Sequence, residues 1–179
     1  MRALKWVMVM VIATAVIQIT TSRVNAEHMY DDVETLRGMN SLYLYVHSLP
    51  PQAEEFGLTQ EQILSDVDTQ LRSAGIPVAS YRECCDLPGS PYLFVGVGLV
   101  KDTKHDIYAV TAHLELRQVC SLEREAEASY HATTWMRGET ELVEATTLES
   151  AVQELLHGWV KMFIYDYWSV NNKKAETEP

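Results

Sequence analysis

The side chains with chemical reach in this 179-residue chain are few and widely spaced. His113-x-Glu115 sets an imidazole and a carboxylate two positions apart. On a strand that spacing puts both on one face, as an acid/base pair or as two metal ligands. A zinc site needs at least three protein ligands. The third donor would have to come from His47, His131 or an acidic side chain. The zinc deaminases also begin H-x-E, but the P-C-x-x-C that completes their signature is missing. Cys84 and Cys85 are adjacent, and neighbouring cysteines pair with each other only under strain. The expected disulfide therefore joins Cys120 to Cys84 or Cys85 and leaves one thiol free. Gly96-Val97-Gly98 lacks the third glycine and the following helix of a dinucleotide site. Glycines at alternate strand positions instead admit a close-packed neighbour or an aromatic ring. No G-x-S-x-G elbow is present. With no complete catalytic set, no metal set and no cofactor motif, the expectation is a protein that binds rather than catalyses. The alternative is a small metal-assisted hydrolase built on His113 and Glu115.

These residues must be held by elements that the apolar pattern predicts. Ser41 to Leu49 alternates, with Leu42, Leu44 and Val46 on one side and Tyr43, Tyr45 and His47 on the other. Pro50-Pro51 ends that strand. Thr59 and Gln62 form a capping box for a helix whose stripe is Ile63, Val67 and Leu71, stopped by Gly75 and Pro77. A short strand at Val78 to Arg82 completes a β-α-β unit, followed by a loop with both vicinal cysteines. Tyr92 to Val100 and Ile107 to about Leu122 are predicted as strands, with Tyr92, Phe94, His113 and Glu115 on their less apolar sides. Ser129 to Met136 reads as a further strand and 137–144 as a loop. Thr146 and Glu149 open a long helix to about Val170, carrying Tyr165 and Trp168 off the centre of its stripe. The predicted order is β-α-β-β-β-β-α, an α+β fold with one mixed, mostly antiparallel sheet and two helices packed on one face. The face away from the helices would then carry Tyr43, Tyr45, His47, Tyr92, Phe94, His113 and Glu115. Either it is a docking surface, joined by Tyr165 and Trp168 on the helix, or the lead-in or the 137–144 loop covers it.

The first 26 residues predict an address. Arg2 and Lys5 precede an apolar run from Trp6 to Ile17, and Val24-Asn25-Ala26 supplies small residues at −3 and −1. The expectation is a signal peptide (1–26) cleaved after Ala26, a flexible lead-in (27–40), a single domain (41–172) and a disordered tail (173–179). That places the protein in the periplasm or outside the cell. If cleavage failed, residues 3–19 would anchor it in the inner membrane as a subunit of a membrane complex. The signal holds three basic residues and no acidic one, so the remainder has 11 basic against 25 acidic residues. That balance excludes nucleic acid and anionic membrane surfaces as partners and leaves a protein partner.

Four stretches together resemble a group of small exported bacterial α/β proteins of unassigned function. They are Gly57-Leu58-Thr59 with Leu71 to Ile76, Tyr92-Leu93-Phe94-Val95, Thr133-Thr134-Trp135, and Phe163-Ile164-Tyr165-Asp166-Tyr167 with Asn171. The resemblance implies export and an α/β fold, and brings no catalytic residues with it.

Overall fold

The computed structural model describes residues 32–171. The expected signal peptide, its cleavage site, residues 27–31 of the lead-in and the tail all lie outside the described residues. Five strands form one mixed sheet: β1 (Leu42–Val46), β2 (Val78–Ala79), β3 (Tyr92–Lys101), β4 (Ile107–Leu122) and β5 (Glu125–Glu144). Their spatial order is β2-β1-β3-β4-β5. β1 is parallel to both β2 and β3, whereas β3, β4 and β5 form an antiparallel meander. The long helices are α1 (Gln60–Ser73) and α3 (Leu148–Asn171), with a short α2 (Tyr81–Cys85) between β2 and β3. The fold is α+β, as the pattern predicts.

α1 starts where its cap dictates, because Thr59 accepts a hydrogen bond from the Gln62 amide. It ends at Gly75, whose φ of +79° is the left-handed conformation open to glycine. Its buried stripe of Ile63, Val67 and Leu71 meets that of α3, where Leu148, Val152, Leu156, Val160, Phe163 and Tyr167 are buried. Both stripes close over Leu42, Leu44 and Val46 of β1, Leu93, Val95 and Val97 of β3, and Val110, Ala112, Leu114 and Leu116 of β4. Each such side chain stabilises the fold by roughly 1.5–3 kcal/mol when fully buried.

Among the described residues, one charged group enters this core. Asp166 on α3 is buried and accepts a hydrogen bond from the Trp135 indole at 2.9 Å and another from Arg137 at 3.3 Å. Arg137 lies over the Trp135 ring, 4.7 Å from its centroid, and also pairs with Asp32. Two of the four stretches quoted above thus meet here as core structure.

The structure corrects four local expectations. β5 does not stop at Met136; residues 137–144 continue it in the plane of the sheet. The chain after β2 forms α2, opened by a reciprocal Ser80–Glu83 capping box, rather than continuing the strand to Arg82. Thr146 falls inside a 3-10 turn, Ala145–Thr147, rather than capping α3. The described part of the lead-in is ordered: a 3-10 turn at Asp32–Leu36 buries Leu36, and Met39 follows it into the core.

Candidate functional site

The sheet face away from α1 and α3 is where period-two alternation collects the polar and aromatic residues. The register sets Tyr45 beside Phe94, Phe94 opposite Glu115, and Gly96 opposite His113. Phe94 is the hub. Its ring lies 5.7 Å from Tyr45, 5.6 Å from His47 and 5.6 Å from His113, the last nearly parallel at 21°. The Arg117 guanidinium stands over the same ring at 4.0 Å, a cation–π contact.

His113 owes its place to two glycines. A Cβ at Gly96 would overlap the His113 ring, and one at Gly138 would come within 2.7 Å of its Cβ. The imidazole therefore lies across the backbone of its cross-strand partner. Gly96 admits a ring, as the sequence predicts, while Gly138 was concealed inside an expected loop.

Glu115 is held on three sides. Arg117 Nε donates to it at 2.8 Å, Thr133 Oγ1 donates at 2.9 Å, and His113 Nε2 lies 3.5 Å from its second oxygen. Burial alone would push its pKa up. The hydrogen bonds from Arg117 and Thr133, with the Arg117 and His113 charges, outweigh burial and hold the carboxyl below the ordinary glutamate value. Thr133 reaches this face through a β-bulge. The register shift between Leu116 and Arg117 leaves Thr134 as the extra residue of β5. Trp135 can then enter the core while Thr133 faces Glu115.

At the β1 end the face deepens into a groove of about 400 Å3, walled by Tyr43, Tyr45, Tyr81, Tyr92 and His131. Tyr43 and Tyr81 meet edge to face at 5.6 Å, and Tyr92 and His131 at 5.7 Å.

Of the expected surface, the structure brings together Tyr43, Tyr45, His47, Tyr92, Phe94, His113 and Glu115. It does not bring Tyr165 or Trp168 to them. Tyr165 is exposed on α3, in the helix layer. The Trp168 indole donates to the Ala74 carbonyl at 3.0 Å and packs against the core, tying α3 to the end of α1. Among the described residues, neither expected cover lies over the face: 137–144 belongs to β5, and the Asp32–Leu36 part of the lead-in packs against α3 and β5 on the helix side. Arg117, Thr133, Tyr81 and His131 join the site without having been assigned to it. Arg117 was visible in the strand alternation, and Tyr81 follows from the Ser80-x-x-Glu83 capping box.

The expected disulfide is not formed; all three thiols stand unpaired. Cys84 donates to the Pro91 carbonyl and Cys85 to the Tyr81 carbonyl. Val119 lines the groove together with Cys84 and Cys85, so strand alternation turns the adjacent Cys120 to the other face. Among the described residues, no three His, Cys, Asp or Glu side chains are grouped as metal ligands. His131, a nominated third ligand, stands against Tyr92 instead. Among the described residues, no helix is long and apolar enough to cross a membrane.

No protein-family model matches the chain, and none of the curated proteins matches it. Among solved structures, a PelC dodecamer from Paraburkholderia phytofirmans shows a remote likeness. Its TM-score is 0.39 at 16% identity, over 68% of this chain and 88% of that one.

Proposed function

We propose that this chain is an exported accessory protein of the cell envelope, related to the small exported α/β proteins it resembles. In this reading it binds a protein partner through the open face of its sheet and catalyses nothing. One observation carries the reading: side chains that a core would bury stand on a face that none of the described residues covers. Tyr45, against the Phe94 ring, is 37% exposed, and Met136, opposite Glu115 on β5, is 54% exposed. Such aromatic and apolar clusters mark interaction surfaces, where Tyr and Arg supply most of the binding energy. Glu115 is engaged by Arg117 and Thr133 in a structural ion pair, which weakens the hydrolase alternative.

A triple change of Tyr43→Ser, Tyr45→Ser and Phe94→Ser tests the reading. The full chain is used to capture partners from envelope extract, with circular dichroism to confirm that the variant folds. The expected outcome is loss of capture with the fold retained; unchanged capture overturns the docking face. Intact mass of the exported protein checks its address, since cleavage predicts a chain beginning at Glu27.

A further inference from the structure

β5 closes one side of the sheet, and among the described residues no strand lies beyond it. In an antiparallel ladder, alternate residues of the last strand turn their N–H and C=O groups away from its neighbour. From Gly138 to Val143 those outward groups meet no other backbone among the described residues. Beside this stretch runs a channel of about 270 Å3. Glu139 and Glu141 form one wall, and Glu154, Leu155, Gly158 and Trp159 of α3 form the other. Glu139 and Glu141 point to that side because their β4 partners, Ala112 and Val110, are buried under the helices.

Among the described residues the channel is lined by three carboxylates and no cation. The ion pairs among those residues all lie elsewhere. Arg137, next along the same face of β5, is engaged by Asp32 and Asp166. Trp159 adds an aromatic wall, and its indole nitrogen is buried without a hydrogen-bond partner among the described residues. Buried donors nearly always have a partner, so this side of the molecule lacks an acceptor. An extended peptide answers all three features. It offers backbone to the open edge, carbonyls to the indole, and side chains that repeat every second residue. Lys or Arg at two alternate positions would face Glu139 and Glu141 as cross-strand pairs of opposite charge. The intervening side chains would lie beside Leu142, 77% exposed on the other face. A free polyamine would match the carboxylates and leave the edge and the indole unanswered.

We infer that the outer edge of β5 takes up an extended, lysine- or arginine-bearing segment of a protein partner. The segment pairs with residues 138–143 as a sixth strand and lays its cations in the channel beside α3. This edge lies apart from the open face, so loss of either surface leaves the other standing. The probe is the peptide acetyl-Thr-Lys-Val-Lys-Val-Lys-Thr-amide, titrated into the 15N-labelled full chain and followed by NMR. The same peptide with glutamate in place of lysine, and spermine, a cation with no peptide backbone, serve as comparators. The lysine peptide should shift the amides of 138–143 and the Trp159 indole N–H saturably, and neither comparator should. Glu139→Gln combined with Glu141→Gln should weaken binding about fivefold. Gly158→Arg sets a cation in the channel from within, where an added Cβ meets nothing within 4 Å. Circular dichroism should show its fold retained while peptide binding falls about tenfold. A lysine peptide that shifts nothing overturns the inference, as does a glutamate peptide or spermine that shifts the same amides equally. Shifts of those amides on concentrating the free chain would also overturn it, by giving the edge to a second copy.

Discussion

The two faces of this sheet are made by the same strands and differ in everything but backbone. On β4, Val110, Ala112, Leu114 and Leu116 are buried under α3, while Thr111, His113, Glu115 and Arg117 alternate with them on the other side. On β1, Leu44 and Val46 are buried and Tyr45 and His47 are exposed. The covered face is apolar, mostly aliphatic with Trp135 and Tyr108 among its side chains, and its buried carboxylate, Asp166, is hydrogen-bonded to Trp135. The open face is aromatic and ionisable, and it is organised by cross-strand contacts rather than by a layer above it. A face that packs without a cover is not simply a wet surface. Its Glu115–Arg117 pair and its His113 ring are positioned as closely as core residues, while the groove beside them stays accessible.

That contrast can be broken most severely from the covered side. Trp135→Ala should cost about 3–5 kcal/mol, since it empties a fully buried site and removes the shorter of the two hydrogen bonds to Asp166. Urea unfolding should show the midpoint fall sharply; a loss under 1 kcal/mol would mean that Trp135 is not a core anchor.

Gly96→Ala probes the open face where it is tightest. The new methyl meets the His113 ring, with the Phe94 ring 3.0 Å away, and the cost should be about 1–3 kcal/mol. In a His113→Ala background most of that cost should disappear. A coupling near zero in this double-mutant cycle would refute the stacked arrangement.

Acid sharpens the comparison further. The Glu115 carboxyl is held below its ordinary value of 4.5, so its stabilisation is complete above that value and fades as pH falls through the lower folded-state value. Wild type should exceed Glu115→Gln by about 1–2 kcal/mol at neutral pH. The two should converge in strong acid, and a pH-independent gap would contradict the pair. The smallest effect belongs to the groove wall: Tyr45→Ser should move stability by no more than about 0.5 kcal/mol while reducing partner capture.

Much of the covered face was legible in the sequence because its signals are redundant. α1 has a cap, a stripe and a glycine stop, and each alone would have placed it. β4 alternates from Ile107 to Arg117. The open face was legible in membership, since whatever alternates with a core residue must lie opposite it. The sequence misled where a residue type has two uses. Gly138 reads as a loop residue, yet here it is a strand residue cleared for the His113 side chain. Ser80 reads as the middle of a strand, yet it caps α2 and brings Tyr81 into the groove. Trp168 reads as a surplus surface aromatic because its partner, the Ala74 carbonyl, is 94 positions away in the chain. Cys120 reads as the disulfide partner of Cys84 or Cys85, yet strand phase turns it to the other face.

The longest strand of the sheet is also its rim. Among the described residues no strand lies beyond β5, and a rim of that length left bare would invite a second copy to dock alongside. Two rims meeting head to tail about Thr133 would set Glu125 and Glu127 of one molecule against Glu141 and Glu139 of the other. Like charges stacked at both ends of such a pairing would make the rim repel its own kind.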